Sequence, residues 1–230
     1  VAHAIDKDRI VDEILKGQVE PLSSYIDAFS PTLSQGSWDQ YDYNPARSIE
    51  LLADLCARDD TDCDANPVTT VFSTTSNNDA RVTLSQLFVE MFEDVGIVYV
   101  NELEDSSIFF GETLDFGNWD LGEWAWVGTP GFAGLISIHD VFDPESAPPD
   151  GQNFYRWGTA AVEGADPEGF NQSASLVVDE NTARFAELRD AMNATVDEGE
   201  LTAILNEAED ILADQVVIIP LYARLNPGAV

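Results

Sequence analysis

Two hydrophobic periods alternate along this chain, and that alternation limits the fold more than any other feature. Residues 4–15 place Ile5, Ile10, Val11, Ile14 and Leu15 on one face at helical spacing and stop at Gly17. Residues 21–43 read as loop. Asn44-Pro45 opens a second helix through Cys56, with proline at the first helical position and Ile49, Leu51, Leu52 and Leu55 inward. A strand over 68–74 precedes a helix over 79–95 that carries Val82, Leu84, Leu87, Phe88, Met91 and Phe92 and closes at Gly96. A strand over 97–100, a short helix over 106–114 and a strand over 120–127 follow. Residues 128–150 are dense in proline and glycine and are expected to form a long, ordered excursion. The last third contains helices over 181–196 and 198–213 and then the apolar run 216–220. Strands joined through helices pair in parallel, so the pattern predicts an α/β fold, a mostly parallel sheet flanked by helices, in a single domain over 1–230.

Charge decides which partners such a fold can have. Asp and Glu number 43 against 10 Lys and Arg, a formal net charge of −33. A surface this negative repels phosphate backbones and anionic headgroups, which excludes nucleic acid and basic-patch membrane binding. The acids are scattered along the chain, so they form a solvated shell around a body that is 44% hydrophobic. Self-repulsion in that shell is relieved by salt, whose Debye length falls to about 3 Å at 1 M. A salty habitat and a merely acidic extracellular protein both fit. No run approaches the roughly 20 apolar residues of a membrane-spanning helix. The opening Val1-Ala2-His3-Ala4-Ile5 has no basic start or long apolar run, so no signal peptide is read there. Cys56 and Cys63, seven positions apart in a polar stretch, predict a local disulfide and favour an oxidising compartment.

Motifs for catalysis are absent. The sequence has no glycine-rich phosphate loop and no nucleophile elbow, and its two histidines, His3 and His139, are far apart. Asp60, Asp62, Asp64 and Asn66 have the odd-position spacing of a calcium loop, but Ala65 stands where the turn wants glycine and Val71 where a bidentate Glu belongs. That run is expected to be a solvated acidic loop, with no metal and no cofactor. The aromatic residues say more. Trp124 and Trp126 lie on a strand running into Gly128-Thr129-Pro130-Gly131, and open α/β sheets hold ligands at the carboxyl ends of their strands. Trp124 is expected in the core and Trp126 as a ligand wall. In 153–158, a period of two puts Asn153, Tyr155 and Trp157 on one face and Phe154 and Arg156 on the other. Arg156 is read as a salt-bridge partner for the abundant carboxylates or as a clamp for an anionic group.

Six segments, in order, resemble the family 5 extracellular solute-binding proteins, the dipeptide and oligopeptide binders of ABC importers. They are the opening Ala4 to Val11 with Gly17 and Pro21; Tyr43-Asn44-Pro45-Ala46 before Leu51-Leu52-Ala53; Val95-Gly96-Ile97-Val98; Asp120 with Trp126 six positions on; Asn153 to Trp157; and Ala208-Glu209 through Ile219-Pro220-Leu221-Tyr222. The resemblance implies one lobe of a two-lobe, type II periplasmic-binding-protein-like fold. This chain would be the second lobe and return strand, with the first lobe and signal peptide lying outside it. It implies a non-catalytic protein, periplasmic or displayed on the cell surface and lipid-anchored, that passes a peptide or other small solute to an ABC permease. Trp126, Gly128 and Thr129, then Asn153, Tyr155 and Arg156, would be its ligand contacts. In the peptide-binding members an aspartate three positions after the strand tryptophan meets the ligand's α-amino group; here that position is Thr129. Losing such a charge-assisted bond costs roughly 1.5–3 kcal/mol, so sugars and other small solutes stay open beside peptides. The competing readings are a secreted carbohydrate-active hydrolase using an acidic pair, and a structural surface module.

Overall fold

The structure, a computed structural model, describes residues 1–30, 32–117, 119–148, 151–161 and 174–224. Strand β1 (Thr69–Thr75) is its axis. It pairs in parallel with β2 (Val98–Glu104) on one side and with β3 (Leu121–Gly122) on the other, giving the order β2-β1-β3. Thr69 lies opposite Val98, and Phe72 opposite Leu121. A parallel partner requires a crossover, and helical segments supply both.

Helix α1 (Lys7–Leu15) starts where the Asp6 side chain accepts from the Arg9 N–H, and ends with Lys16 left-handed at φ 55°. Helix α2 (Pro45–Arg58) is capped by Asn44. Helix α3 (Asp79–Glu93) joins β1 to β2, its first N–H groups bonded to the Asn78 side chain. Between β2 and β3 the chain makes three short turns, Ser106–Ile108, the π turn Phe109–Thr113, and Leu114–Phe116. Ile5 and Ile10, Phe72 of β1, and Leu84, Leu87, Phe88, Met91 and Phe92 of α3 form one apolar cluster. Burying each of these side chains contributes about 1.5–3 kcal/mol before chain entropy is counted.

A second cluster is helical. Helix α4 (Phe132–His139), α5 (Glu180–Ala194) and α6 (Glu198–Asp214) bury Leu135, Phe142, Phe185, Leu188, Leu205 and Leu212 with Tyr25 and Trp38. The loop 34–37 is tied to it through the fully buried Glu209. That carboxylate accepts from Ser34 Oγ at 3.2 Å and from the Gln35 and Ser37 N–H groups at 3.4 and 3.2 Å. Strands β4 (Thr159–Ala161) and β5 (Ala174–Leu176) form a separate antiparallel pair.

Several expected elements differ. The strand expected over 120–127 pairs only at Leu121–Gly122, because its ladder is replaced by side chains: Asp120 Oδ2 accepts from the Val71 N–H at 2.8 Å, and Thr74 Oγ1 donates to the Glu123 carbonyl at 2.8 Å. The excursion 128–150 contains helix α4, whose sequence Phe-Ala-Gly-Leu-Ile-Ser-Ile-His is apolar on nearly every side and so lacks a periodic stripe. Residues 153–157 turn: the Arg156 N–H reaches the Asn153 carbonyl at 3.0 Å, and Arg156 is left-handed at φ 52°. Ile49 and Leu51 of α2 face solvent at 49% and 41% exposure, while Ser48 is buried and Leu52 packs on the first cluster. The run 216–220 forms no strand; the return segment meets the N-terminal part at one β-bridge, Pro21 to Tyr222, and through the Trp38 indole N–H, which donates to the Ile218 carbonyl at 2.8 Å. Cys56 and Cys63 are disulfide-bonded, closing the turn after α2.

Candidate ligand cleft

A cleft of about 500 Å³ separates the extended segment 119–128 from the return segment 216–224. It lies beside and beyond β3, where an open parallel sheet presents its loops to ligands. Phe72 and Phe88 of the sheet cluster reach it from one side, and Ile138 and Phe142 of the helical cluster from the other.

Its wall is a stack of aromatic rings. Trp126 donates its indole N–H to the Tyr155 hydroxyl at 2.8 Å. Tyr155 in turn stacks between Trp124 and Phe142, both at 5.1 Å between centroids. Phe154 stacks on Trp126 at 6.1 Å, and Trp119 meets Trp124 edge-on at 5.5 Å. Burial raises the Tyr155 pKa, so its hydroxyl stays neutral and available to Trp126. The indole N–H groups of Trp119 and Trp124 are buried without an acceptor among the described residues. Each leaves an unsatisfied donor in the cleft wall.

The mouth is shaped by backbone approach. At Gly134, in the first turn of α4, any Cβ would collide with the Thr129 carbonyl, and at Gly128 one would strike the Phe29 ring. Glycine at both positions lets the 128–131 loop fold down onto α4 and Phe29. Of the expected contacts, Trp126, Gly128 and Tyr155 line the cleft, and Thr129 sits exposed at its rim. Asn153 is fully buried behind the wall, where its amide donates to the Asp143 and Trp157 carbonyls at 3.1 and 3.0 Å. Arg156 donates to the Asp115 carbonyl and packs on Gly117, and its desolvation lowers its pKa. The turn at 153–156 therefore delivers only Tyr155 of these three to the cleft.

One polar group of residues escaped the sequence reading. Arg81, at the start of α3, bonds Glu123 Oε2 through Nε at 2.9 Å and Thr75 Oγ1 through Nη1 at 3.0 Å. Thr74 Oγ1 also donates to Glu123 Oε2, at 3.0 Å. Burial raises the Glu123 pKa against the opposing pull of Arg81. Ser73, Thr74 and Thr75 are all buried, so the carboxyl end of the central strand is polar where its middle is not. In sequence, the adjacency of Glu123 to Trp124 was the only available signal. Among the described residues, no three His, Cys, Asp or Glu side chains converge as metal ligands.

Comparison with known proteins joins this geometry to a lineage. A sequence model for bacterial extracellular solute-binding proteins, family 5 middle, matches residues 1–134. The chain belongs to this family. Among solved structures it resembles the mannohexaose-bound periplasmic oligopeptide-binding protein of Thermotoga maritima, with a TM-score of 0.69 and 19% identity over 97% of this chain and 40% of that one. The oligopeptide-binding protein AppA of Bacillus subtilis, in complex with a nonapeptide, gives a TM-score of 0.66 and 16% identity over 96% and 40%. NikZ of Campylobacter jejuni, in complex with Ni(L-His), gives 0.64 and 16% over the same shares. A search of curated proteins gives no match. The likenesses place this family 5 chain in the type II periplasmic-binding-protein fold, of which it spans about 40%. No helix among the described residues is long and apolar enough to cross a membrane.

Proposed function

We propose that this chain is the second, ligand-binding lobe of the substrate-binding component of an ABC importer. The protein captures a peptide or other small solute outside the cytoplasmic membrane and delivers it to the permease. The observation that carries this is the aromatic-walled cleft of about 500 Å³ at the carboxyl end of the sheet in a family 5 chain. Its size and its aromatic wall suit a small solute. The first lobe would close over it, as two-lobed binders do on their ligands. Trp126, Gly128 and Tyr155 are the contacts, Thr129 guards the rim, and Asn153 and Arg156 hold the wall from behind. The chain works by binding, without turnover, in a protein anchored by lipid at the cell surface or in the periplasm.

Mass spectrometry of small molecules carried through native purification of the full-length protein identifies the solute. Titration of that solute into Trp126→Ala is expected to show affinity reduced at least about tenfold, as loss of a buried aromatic anchor does. Unchanged affinity removes the cleft as the site. Conversion of the bound solute to product would place the protein among hydrolases instead.

A further inference from the structure

Of the twelve asparagines in the chain, two begin the pattern Asn-X-Ser/Thr with X other than proline: Asn171-Gln172-Ser173 and Asn193-Ala194-Thr195. The first lies outside the described residues. The second stands at the tip of the hairpin between α5 and α6. Helix α5 ends at Ala194, Thr195 is extended at φ −93° and ψ 148°, and Asp197 already caps α6. Asn193 and Ala194 are exposed, and Val196 is exposed at 99%. The pattern thus straddles the end of a helix, where the last turn frays and its carbonyls lack intrahelical partners.

The fold gives Thr195 a task and Asn193 none. Thr195 Oγ1 donates to Glu200 Oε2 at 2.8 Å and accepts from the Asp197 N–H at 3.3 Å, which orders the turn. The Asn193 side chain makes one hydrogen bond among the described residues, from its amide to the Arg189 carbonyl at 3.0 Å, within its own helix. Asparagine is a poor choice for an exposed helical position, because its side chain competes for backbone partners. The setting is also uncharged. Residues 193–196 are neutral between Asp190 and the pair Asp197-Glu198, on a chain that carries 43 acids. None of residues 193–197 lines the cleft, so a group carried at this tip leaves the cleft wall as it is.

We propose that Asn193 is a site of N-linked glycosylation. The inference rests on the proposed function only for the protein's place outside the cytoplasmic membrane. The donor is a glycan carried on a lipid phosphate. Asn193 Nδ2 bonds to the anomeric carbon of the first sugar, the bond from that carbon to the phosphate oxygen breaks with its electron pair leaving on the lipid phosphate, and the amide gives up one proton. The transferase reads the Thr195 hydroxyl, which is why the third position must be Ser or Thr. Transfer takes place with the last turn of α5 open, which releases Nδ2 from Arg189 and Oγ1 from Glu200.

The test is made on full-length protein recovered by cell fractionation from the cells that naturally make it. Trypsin, which cuts after arginine, separates the two patterns: peptide 157–184 contains the Asn171 pattern alone, and peptide 190–224 the Asn193 pattern alone. In mass spectrometry peptide 190–224 is expected to carry the added mass of a glycan, which fragmentation places on Asn193. Asn193→Gln and Thr195→Ala, made in the same cells, are expected to lose that mass, and Thr195→Ser to keep it. A bare mass for the wild-type peptide, or an added mass that survives Thr195→Ala, overturns the site. Recovery of the protein in the cytoplasmic fraction overturns the importer reading together with the site, whereas recovery outside the cytoplasmic membrane with a bare peptide overturns the site alone.

Discussion

His139 shows how far a residue's role depends on what is folded around it. It is fully buried, with Nδ1 at 2.5 Å from the Leu135 carbonyl and Nε2 at 2.6 Å from the Tyr25 hydroxyl. A carbonyl can only accept, so Nδ1 carries the proton and Nε2 accepts from Tyr25. Burial lowers the His139 pKa from 6.5 to about 4, against the opposing bond to Leu135. Unfolding lets the ring titrate normally, so the unfolded chain binds the extra proton first and stability falls as pH drops from 6.5 to about 4. The contribution is about 3 kcal/mol at neutral pH, at 1.36 kcal/mol per unit. Thermal melts should show the gap between wild type and His139→Gln narrowing across that window; a constant gap would exclude His139 as its source. In sequence this histidine was merely unpaired, because its partners lie 4 and 114 positions away. Trp126 was legible as a cleft residue because a strand entering a glycine-rich loop is a local feature. Asn153 and Arg156 were not, because a left-handed turn, invisible in the alternation of residue types, redirects both.

At the scale of elements, helix ends were the most readable features and strand ends the least. Asp6, Asn44 and Asn78 cap helices through bonds to residues two or three positions ahead, a geometry that sequence carries by itself. The β3 ladder ends early because Thr74 and Asp120 substitute side chains for backbone partners, a tertiary event. Helix α6 ends in a conformation that glycine usually supplies. Val216 is left-handed at φ 49°, with its N–H on the Ala213 carbonyl at 2.9 Å and the Val217 N–H on Leu212 at 3.0 Å. A β-branched residue there carries strain on the order of 1–2 kcal/mol. Val216→Gly should therefore raise the melting temperature, the relief exceeding the greater flexibility of glycine in the unfolded chain. A lower melting temperature would mean that the Val216 contacts in the cleft outweigh the strain.

For the whole molecule the dominant quantity is charge. Most ion pairs of the arginines are exposed, Arg58–Asp59 and Arg184–Glu207 among them, and such pairs contribute about 0–1 kcal/mol each. The remaining carboxylates repel one another without compensation. Melting temperature should therefore rise with NaCl into the molar range, where screening removes more repulsion than attraction; a flat or falling curve would exclude the high-salt reading. Sequence alone determined most of the long helices, the parallel sheet they require, the acidic shell and the short disulfide, because each follows from local spacing or from composition; helix α4 and strands β4 and β5 did not show in it. Tertiary structure decided the rest. Two apolar clusters face each other across the cleft, and residues about 100 positions apart, such as 119–128 and 216–224, become its walls. The pairing of Arg81 with Glu123 likewise exists only after folding, since it joins the first turn of α3 to the residue that follows β3.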